Sequence, residues 1–238
     1  ARPEETKNYE LPPQDVVSWA IRKNCSSIAY TYTEPTIFYE YMLDTAKIAA
    51  EHGIKNVWVT CGYINQEPLE ELCKYLDGAN VDLKGFNGFY GKLNIGRIEP
   101  VMECMRILRR HNVWFEITNL VIPTQNDDFQ KIREMCEWIK KDLGTDYPLH
   151  FSRFFPAYKL GNLPQTPVET LEKAREIALD VGIKYVYVGN VPGHDGNNTY
   201  CHKCGRKIIS RTGYFVTQND VVDGKCKFCG EKIEGVWK

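Results

Sequence analysis

Segments typical of β-strands alternate with segments typical of α-helices along the whole chain up to about residue 190. This alternation predicts a parallel sheet with right-handed crossovers. The strands show no clean polar alternation, so we expect both faces of the sheet to be covered. A doubly wound sheet and a full or partial barrel both agree with the pattern. The predicted strands are 27–33, 56–61, 79–83, 113–122, 149–155 and 184–188, and the predicted helices are 14–23, 36–52, 67–76, 98–111, 126–143 and 167–181.

Size and charge limit the possible architectures and functions. A chain of 238 residues, 43% of them apolar, suits one large domain or a domain of about 200 residues with a small module. The net charge of −1 argues against a protein that binds polyanions over its whole surface. No apolar run reaches membrane-spanning length, so no membrane partner is expected. Nine cysteines without a signal-peptide pattern indicate reduced thiols and a cytoplasmic setting.

Polar residues gather where the predicted strands end. In parallel α/β folds this edge is where ligands bind, although any one such residue can equally be the solvated start of a loop. Asp82 and Lys84 are two residues apart on a strand, so their side chains point to the same side and can hold an amino-acid-like group. The other candidates for a binding role at this edge are Thr33, Glu34, Thr60, Asn119 and Arg153.

Two further residues in the strands and several absent motifs narrow the function. Cys61 is interpreted as a small packed hydrophobe, with a ligand or reactive thiol as the alternative. Glu116 lies among apolar neighbours, so it is either paired with a cation or faces a polar barrel interior. The sequence contains no GxGxxG, P-loop, GxSxG or HExxH motif, which argues against Rossmann-type NAD enzymes, P-loop NTPases and α/β-hydrolases.

Several of these edge segments resemble the motifs of one enzyme family. Tyr32-Thr33-Glu34-Pro35 is similar to the GGEP element of radical S-adenosylmethionine (SAM) enzymes, and Thr60-Cys61-Gly62 to their TNG element. Val81-Asp82-Leu83-Lys84 resembles the DLK of the pyruvate formate-lyase activating enzymes. The later matches are Val121-Ile122-Pro123 with Asn126-Asp127-Asp128, and Phe155-Pro156-Ala157-Tyr158-Lys159-Leu160-Gly161, where Tyr158 replaces a histidine. Over its whole length the chain most resembles the radical SAM proteins of the AmmeMemoRadiSam system.

This resemblance implies a fold, a chemistry and a set of cofactor contacts. The fold would be a partial (β/α) TIM-like barrel, and the reaction the reductive cleavage of SAM by a [4Fe–4S] cluster to a 5′-deoxyadenosyl radical that abstracts hydrogen. Thr33 and Glu34 would meet the amino group of SAM, and Asp82 and Lys84 its carboxylate end. Tyr158 aligns with a residue that contacts SAM. A reductant for the cluster and an unknown small-molecule or macromolecular hydrogen donor would be the partners.

The cluster ligands are the main departure from the family. Three thiolates hold such a cluster and leave one iron open for SAM, and the family supplies them from C-x3-C-x2-C after its first strand. The 238 residues contain no such triplet. We expect residues 1–198 to form a barrel core that lacks this loop and the first strand, because an N-terminal segment was cleaved, not cloned or encoded elsewhere. The alternative is a natural paralogue without a cluster.

Residues 199–238 carry the second strong signal, two CxxCG knuckles formed by Cys201, Cys204, Cys226 and Cys229. Each knuckle places two sulfurs on one turn, as in zinc ribbons, so a tetrahedral Zn²⁺ is the first choice and a rubredoxin-like iron the second. We favour a structural metal that stabilises a module too small for its own core. Docking of a protein or nucleic acid is the alternative, since this segment holds eight Lys/Arg against four Asp/Glu, but nucleic acid is not the partner we favour.

Overall fold

The computed structural model describes residues 9–86, 88–92 and 96–237, and within them six parallel strands form one sheet in sequential order. A doubly wound sheet reverses its strand order partway, whereas here each strand pairs with the next one in the sequence. The fold is therefore a partial (β/α) barrel, in which no pairing between the first and sixth strands is found within the described residues. The strands are β1 (Ser27–Tyr30), β2 (Lys55–Thr60), β3 (Gly78–Asp82), β4 (Trp114–Val121), β5 (Leu149–Arg153) and β6 (Val186–Gly189).

Helices connect these strands, and capping residues define where several of them begin or end. The last one, Val168–Val181, follows Pro167 and is terminated by Gly182, which adopts the left-handed conformation with φ 107° that glycine tolerates. The helix Phe129–Trp138 begins after Asp128, whose carboxylate accepts hydrogen bonds from two backbone N–H groups of the first turn. The helices are α1 (Pro13–Arg22), α2 (Tyr39–Glu51), α3 (Gln66–Cys73), α4 (Phe89–Lys92), α5 (Glu99–Arg110), α6 (Phe129–Trp138) and α7 (Val168–Val181).

Some predicted boundaries were wrong by several residues. The predicted strand 27–33 ends at Tyr30, and the predicted helix 36–52 begins as a 3₁₀ turn, Pro35–Phe38, before α2 starts. The helix predicted from residue 126 starts at Phe129, which is 42% exposed rather than directed inward. The buried stripe of α6 starts one turn later, at Ile132, because the turn before it is taken up by the cap.

Strand β4 shows how the two faces of the sheet differ. Phe115, Ile117 and Val121 are fully buried in the main core together with residues of α5 and α6. The alternate residues, among them Glu116 and Thr118, are only partly buried. The inner face of this strand is therefore covered only in part: Trp114 and Glu116 line a cavity whose other wall comes from the C-terminal segment, and full burial is confined to the face packed against the helices.

The C-terminal segment forms two small antiparallel sheets that pack on the end of the barrel. One contains β7 (Thr199–Tyr200), β8 (Lys207–Thr212) and β9 (Phe215–Asn219), and the other β10 (Val221–Val222) and β11 (Lys225–Cys226). We call residues 199–237 the ribbon. Its core includes Tyr185, which immediately precedes β6, so the ribbon shares buried surface with the barrel. The domain boundary at residue 198 stays a prediction.

No helix in the described parts of the chain is both long enough and apolar enough to cross a membrane.

Candidate cofactor site and metal centre

A cavity of about 650 Å³ opens at the carboxyl ends of the first three strands, and we call it the rim cavity. Its size is typical of small-molecule sites, which span roughly 300–1,000 Å³. Five of the predicted site residues, from three separate strand ends, line it. They are Thr33, Glu34, Thr60, Asp82 and Lys84, and the other lining residues are Thr31, Tyr32, Val59, Cys61, Tyr63 and Tyr90.

The carboxylate of Glu34 organises the wall between β1 and β2. Its Oε1 accepts hydrogen bonds from Thr60 Oγ1 at 2.8 Å and from both the hydroxyl and the backbone N–H of Thr36 at 2.8 and 3.2 Å. Its Oε2 accepts from the backbone N–H of Cys61 at 2.7 Å. A carboxylate has about four acceptor positions. Two of the four hydrogen bonds, those from Thr60 and Cys61, join the two strand ends, and the two from Thr36 are local.

The same contacts decide the protonation state of Glu34. Burial alone would raise its pKa, but the hydrogen bonds from Cys61, Thr36 and Thr60 outweigh that effect and lower the pKa below its usual value. A negative charge is therefore held in the wall of the rim cavity at neutral pH.

Cys61, next to it, behaves differently. Burial and then the neighbouring Glu34 raise its pKa to about 11, so the thiol stays protonated at neutral pH. This agrees with the interpretation of Cys61 as a packed residue rather than a nucleophile.

Asp82 and Lys84 form an ion pair in the opposite wall, with Lys84 Nζ 3.1 Å from Asp82 Oδ2. Both side chains are about two-fifths exposed, at 39% and 42%, so the pair remains accessible to a ligand. The backbone of Lys84 is held on both sides: its N–H donates to Tyr90 Oη at 3.1 Å, and its carbonyl accepts from Asn126 Nδ2 at 2.6 Å. The ammonium has three donors and uses one on Asp82, which leaves two for an anion.

Asn126 supports this wall from behind. Its Nδ2 donates to the carbonyl groups of Lys84 and Leu120, and its Oδ1 accepts from the backbone N–H of Ile122 at 2.6 Å. The side chain is nearly fully buried and joins the end of β4 to the segment that follows β3. Sequence reasoning used Asn126 only as part of a motif, and the asparagine preceding two aspartates was the available signal for a positioning role.

Three predicted site residues lie outside the rim cavity. Asn119 is buried on the helix-covered face of β4, where its Nδ2 donates to the carbonyl of Leu83 at 2.7 Å. Arg153 donates through Nε to the carbonyl of Thr166 at 2.7 Å. Tyr158 is 84% exposed at the surface. The structure thus brings five of the eight predicted cofactor contacts together and leaves these three apart.

The cysteines of the barrel do not offer a ligand set for an iron–sulfur cluster. Cys25 is exposed, Cys61 is half-buried, and Cys73, Cys104 and Cys136 are buried. Cys104 is near enough to Cys61 and Cys73 to be affected by their charges, but among the described residues these three are not close enough to share a metal ion. Within residues 9–86, 88–92 and 96–237, the four ribbon cysteines are the group of His, Cys, Asp or Glu side chains close enough to share a metal ion. The residues described here therefore do not fit a [4Fe–4S] cluster.

The four ribbon cysteines have the geometry of a tetrahedral metal centre. Their sulfurs all lie within 4.8 Å of one another, with Cys201 Sγ 3.6 Å from Cys229 Sγ and Cys204 Sγ 3.8 Å from Cys226 Sγ. Metal–sulfur bonds of about 2.3 Å in a tetrahedron place the sulfurs about 3.8 Å apart. The sequence-based prediction of a four-cysteine metal site agrees with this arrangement.

Hydrogen bonds from the knuckle backbone favour the thiolate form of one ribbon cysteine, Cys226, whereas the pKa values of Cys201 and Cys229 are raised. Burial would raise the pKa of Cys226, but the N–H groups of Phe228 and Cys229 and the neighbouring sulfurs lower it to about 7.

Comparison with known proteins identifies the class to which this fold and site belong. The model of the radical SAM superfamily matches residues 1–138, and the chain belongs to that superfamily. It is also 47% identical over 234 residues to the uncharacterized protein MJ0808 of Methanocaldococcus jannaschii, an alignment that covers 98% of this chain and 70% of that protein.

Solved structures share the fold at low sequence identity. A domain of a pyruvate-formate lyase-activating enzyme from Bacteroides vulgatus is 16% identical with a TM-score of 0.59, covering 69% of this chain and 99% of that one. A radical SAM methyltransferase from Sphaerobacter thermophilus is 17% identical with a TM-score of 0.58, covering 80% and 60%. SuiB of Streptococcus suis bound to S-adenosylmethionine is 13% identical with a TM-score of 0.59, covering 78% and 45%. These similarities support the partial barrel.

Proposed function

We propose that this chain binds SAM in the rim cavity and is the SAM-binding part of a radical SAM enzyme related to the pyruvate formate-lyase activating enzymes. One observation carries the proposal: Glu34, which follows β1, and Asp82 and Lys84, which lie at the end of β3, are charged side chains that line a single cavity. SAM bears an ammonium, a sulfonium and a carboxylate, so a site that holds it needs charges of both signs. The rim cavity offers two carboxylates and one ammonium.

The available donors and acceptors suggest an orientation. The two free N–H donors of Lys84 suit the carboxylate of SAM, with Asp82 holding Lys84 in place. Thr33 and Glu34 suit the amino group, because the Glu34 carboxylate is negatively charged and both residues line the rim cavity. Contacts of SAM with Asn119, Arg153 and Tyr158 stay predictions, and the orientation does not depend on them.

The proposed reaction would need a [4Fe–4S] cluster, which would supply the electron for reductive cleavage of SAM to methionine and a 5′-deoxyadenosyl radical that would abstract hydrogen from the substrate. The barrel cysteines do not fit that cluster. We therefore expect the 238 residues by themselves to bind SAM without cleaving it. For the ribbon we propose Zn²⁺ in a structural role, with Fe as the alternative occupant of the same four sulfurs.

Isothermal titration calorimetry with SAM tests the binding step. Wild type should bind SAM, and Lys84→Met should weaken binding by about tenfold or more, since hydrogen bonds to charged groups contribute about 1.5–3 kcal/mol. Lys141→Met is the matched control, because Lys141 is exposed and lies outside the rim cavity. The proposal would be wrong if wild type did not bind SAM, or if Lys84→Met and Lys141→Met bound SAM with equal affinity.

Chromatography of anaerobic reaction mixtures tests the second step. With SAM and dithionite, the 238 residues should form no 5′-deoxyadenosine above the level of a protein-free control. Its formation by this chain would contradict the expectation that the chain is inactive alone, while leaving the SAM site intact.

A non-catalytic scaffold is the second candidate, and one feature of the ribbon favours it. The turn and edge strand after β8 expose Tyr214, Phe215 and Val216, with Tyr214 fully exposed. Exposed aromatic residues on an edge strand are a common means of docking a partner. A chain that fails to bind SAM but retains a protein partner when Phe215 is intact, and loses it in Phe215→Ser, would support this candidate instead.

A further inference from the structure

A second cavity, of about 260 Å³, lies at the opposite end of the sheet from the rim cavity, and we call it the basal cavity. One wall is formed by barrel residues that include Trp114, Pro148 and Tyr185, which lie at the amino ends of β4, β5 and β6. The ribbon and its C-terminal segment form the other wall. The basal cavity shares no lining residue with the rim cavity, so it is a separate place in the molecule.

Two opposite charges, Glu116 and Arg211, line the basal cavity without forming an ion pair with each other. Glu116 Oε2 accepts a hydrogen bond from His150 Nε2 at 2.7 Å, and Oε1 has no hydrogen-bond partner among the described residues. Arg211 uses Nη1 to donate to the carbonyl of Asn197 and to Thr199 Oγ1 at 3.2 and 2.9 Å. Its Nε and Nη2 have no partner in the described part of the chain, and Glu116 lies beyond ion-pair distance from it.

Neighbouring rings hold both charges in place. The imidazole of His150 stacks on the ring of Tyr187 with centroids 4.9 Å apart, and the guanidinium of Arg211 lies 5.7 Å from the centre of the same ring. Burial would raise the pKa of Glu116, but the hydrogen bond and charge of His150 and the charge of Arg211 lower it, so the carboxylate is ionised at neutral pH. A ligand would meet charges that are already oriented, which reduces the entropic cost of binding.

Aromatic side chains form much of the remaining surface. Trp114 and Tyr187 come from the barrel, and Trp237 comes from the C-terminal segment. Trp237 Nε1 donates to the carbonyl of Ile233 at 2.7 Å, and a Cβ at Gly224 would approach the Trp237 ring to 3.0 Å. The glycine therefore leaves room for the indole to serve as a wall.

We propose that the basal cavity binds a small zwitterion of the α-amino-acid class with an apolar side chain, its ammonium on Glu116 and its carboxylate on Arg211. A ligand with both charges would use the remaining acceptor Oε1 of Glu116 and the remaining donors of Arg211 at once, and the planar guanidinium suits a carboxylate. The apolar side chain packs against the aromatic walls. Glu234 also lines the cavity, but Lys232 neutralises it at 2.9 Å. This inference does not rest on the SAM site.

Calorimetry with three related compounds tests the need for two charges. L-phenylalanine should bind saturably, whereas phenethylamine and 3-phenylpropionate, which each keep one charge, should bind at least about tenfold more weakly. Equal binding of all three would show an aromatic cavity without zwitterion recognition and would overturn the proposal. Absence of binding by all three would overturn it as well.

Variants then assign the charges. Glu116→Gln should weaken the binding of L-phenylalanine more than the binding of 3-phenylpropionate. Arg211→Gln should weaken the binding of L-phenylalanine more than the binding of phenethylamine. Arg206→Gln is the matched control, since Arg206 belongs to the ribbon but does not line the cavity. If Arg211→Gln loses its circular dichroism signal or its metal, Arg211→Lys replaces it and should bind with intermediate affinity. Unchanged affinity in folded variants at both positions would contradict the assignment.

Discussion

The carboxylate of Glu34 and the backbone N–H of Cys61 are joined at 2.7 Å, although they belong to different strand ends. This contact ties the segment after β1 to the end of β2 and places a fixed negative charge in the rim cavity. Glu34 thus has a structural task in addition to any contact with a ligand. Its substitution should affect both stability and SAM binding.

Glu34→Gln should lower the free energy of unfolding by about 1–3 kcal/mol, because the amide replaces one acceptor oxygen with an N–H₂ group that faces other donors. Urea denaturation followed by circular dichroism measures the change. Glu51→Gln, on the exposed end of α2, is the control and should stay within about 0.5 kcal/mol of wild type. Equal stability of the two variants would contradict the role assigned to Glu34.

The lowered pKa of Glu34 also predicts a pH dependence. A carboxyl group whose pKa is lower in the folded state contributes stability that is fully present above its unfolded pKa of about 4.3, and this stability is lost as the pH falls through the folded value. Wild type should therefore lose more stability than Glu34→Gln between about pH 5 and pH 3. Parallel curves of unfolding free energy against pH for the two proteins would show that Glu34 is not responsible.

Asn126→Ala should destabilise the chain by about 2 kcal/mol or more, because three buried hydrogen bonds to the backbone groups of Ile122, Leu120 and Lys84 are lost together. SAM affinity should fall as well, since Lys84 loses its backbone support. Asn65→Ala is a suitable comparison, because Asn65 is exposed and its side chain makes no capping hydrogen bond. A variant with normal stability and normal SAM binding would exclude this positioning role.

Removal of the ribbon metal should unfold the ribbon first. Each chain should carry about one metal ion by elemental analysis, and a chelator or Cys226→Ser should remove it. The fluorescence of Trp237 should then shift to longer wavelength, because its indole packs within the ribbon. Cys25→Ser should leave the metal content unchanged, since Cys25 is exposed and remote from the ribbon centre. Full metal retention in Cys226→Ser would rule out the four-cysteine site.

The local sequence pattern predicted which strands and helices this protein contains better than it predicted where they begin and end. Periodicity and turn residues placed all six strands, and Gly182 ends α7 as expected. The spacing of the knuckle cysteines likewise predicted the metal centre, because two sulfurs on one turn define a ligand pair without help from the rest of the fold.

Periodicity left the choice between a doubly wound sheet and a barrel open, because that choice depends on which strands pair. The resemblance to radical SAM enzymes predicted the partial barrel, and the sequential strand order confirms it. Asp82 and Asn119 were both predicted to bind at the carboxyl edge of the sheet, although Asp82 is the last residue of β3 and Asn119 lies two residues before the end of β4. Asp82 points to the partly exposed face of the sheet, while Asn119 lies on the same side of β4 as the buried Phe115 and Ile117. The alternation of side chains along β4 could have predicted that Asn119 is buried.

The sequence by itself determined the class of fold, the superfamily and the metal ligands, since all of these depend on local spacing and on residue type. Only the tertiary structure decided which side chains share a cavity. Glu116 and Arg211 belong to the barrel and the ribbon and come together because the ribbon packs against β6. Contacts of this kind depend on the burial of one surface against another, and no local pattern encodes them.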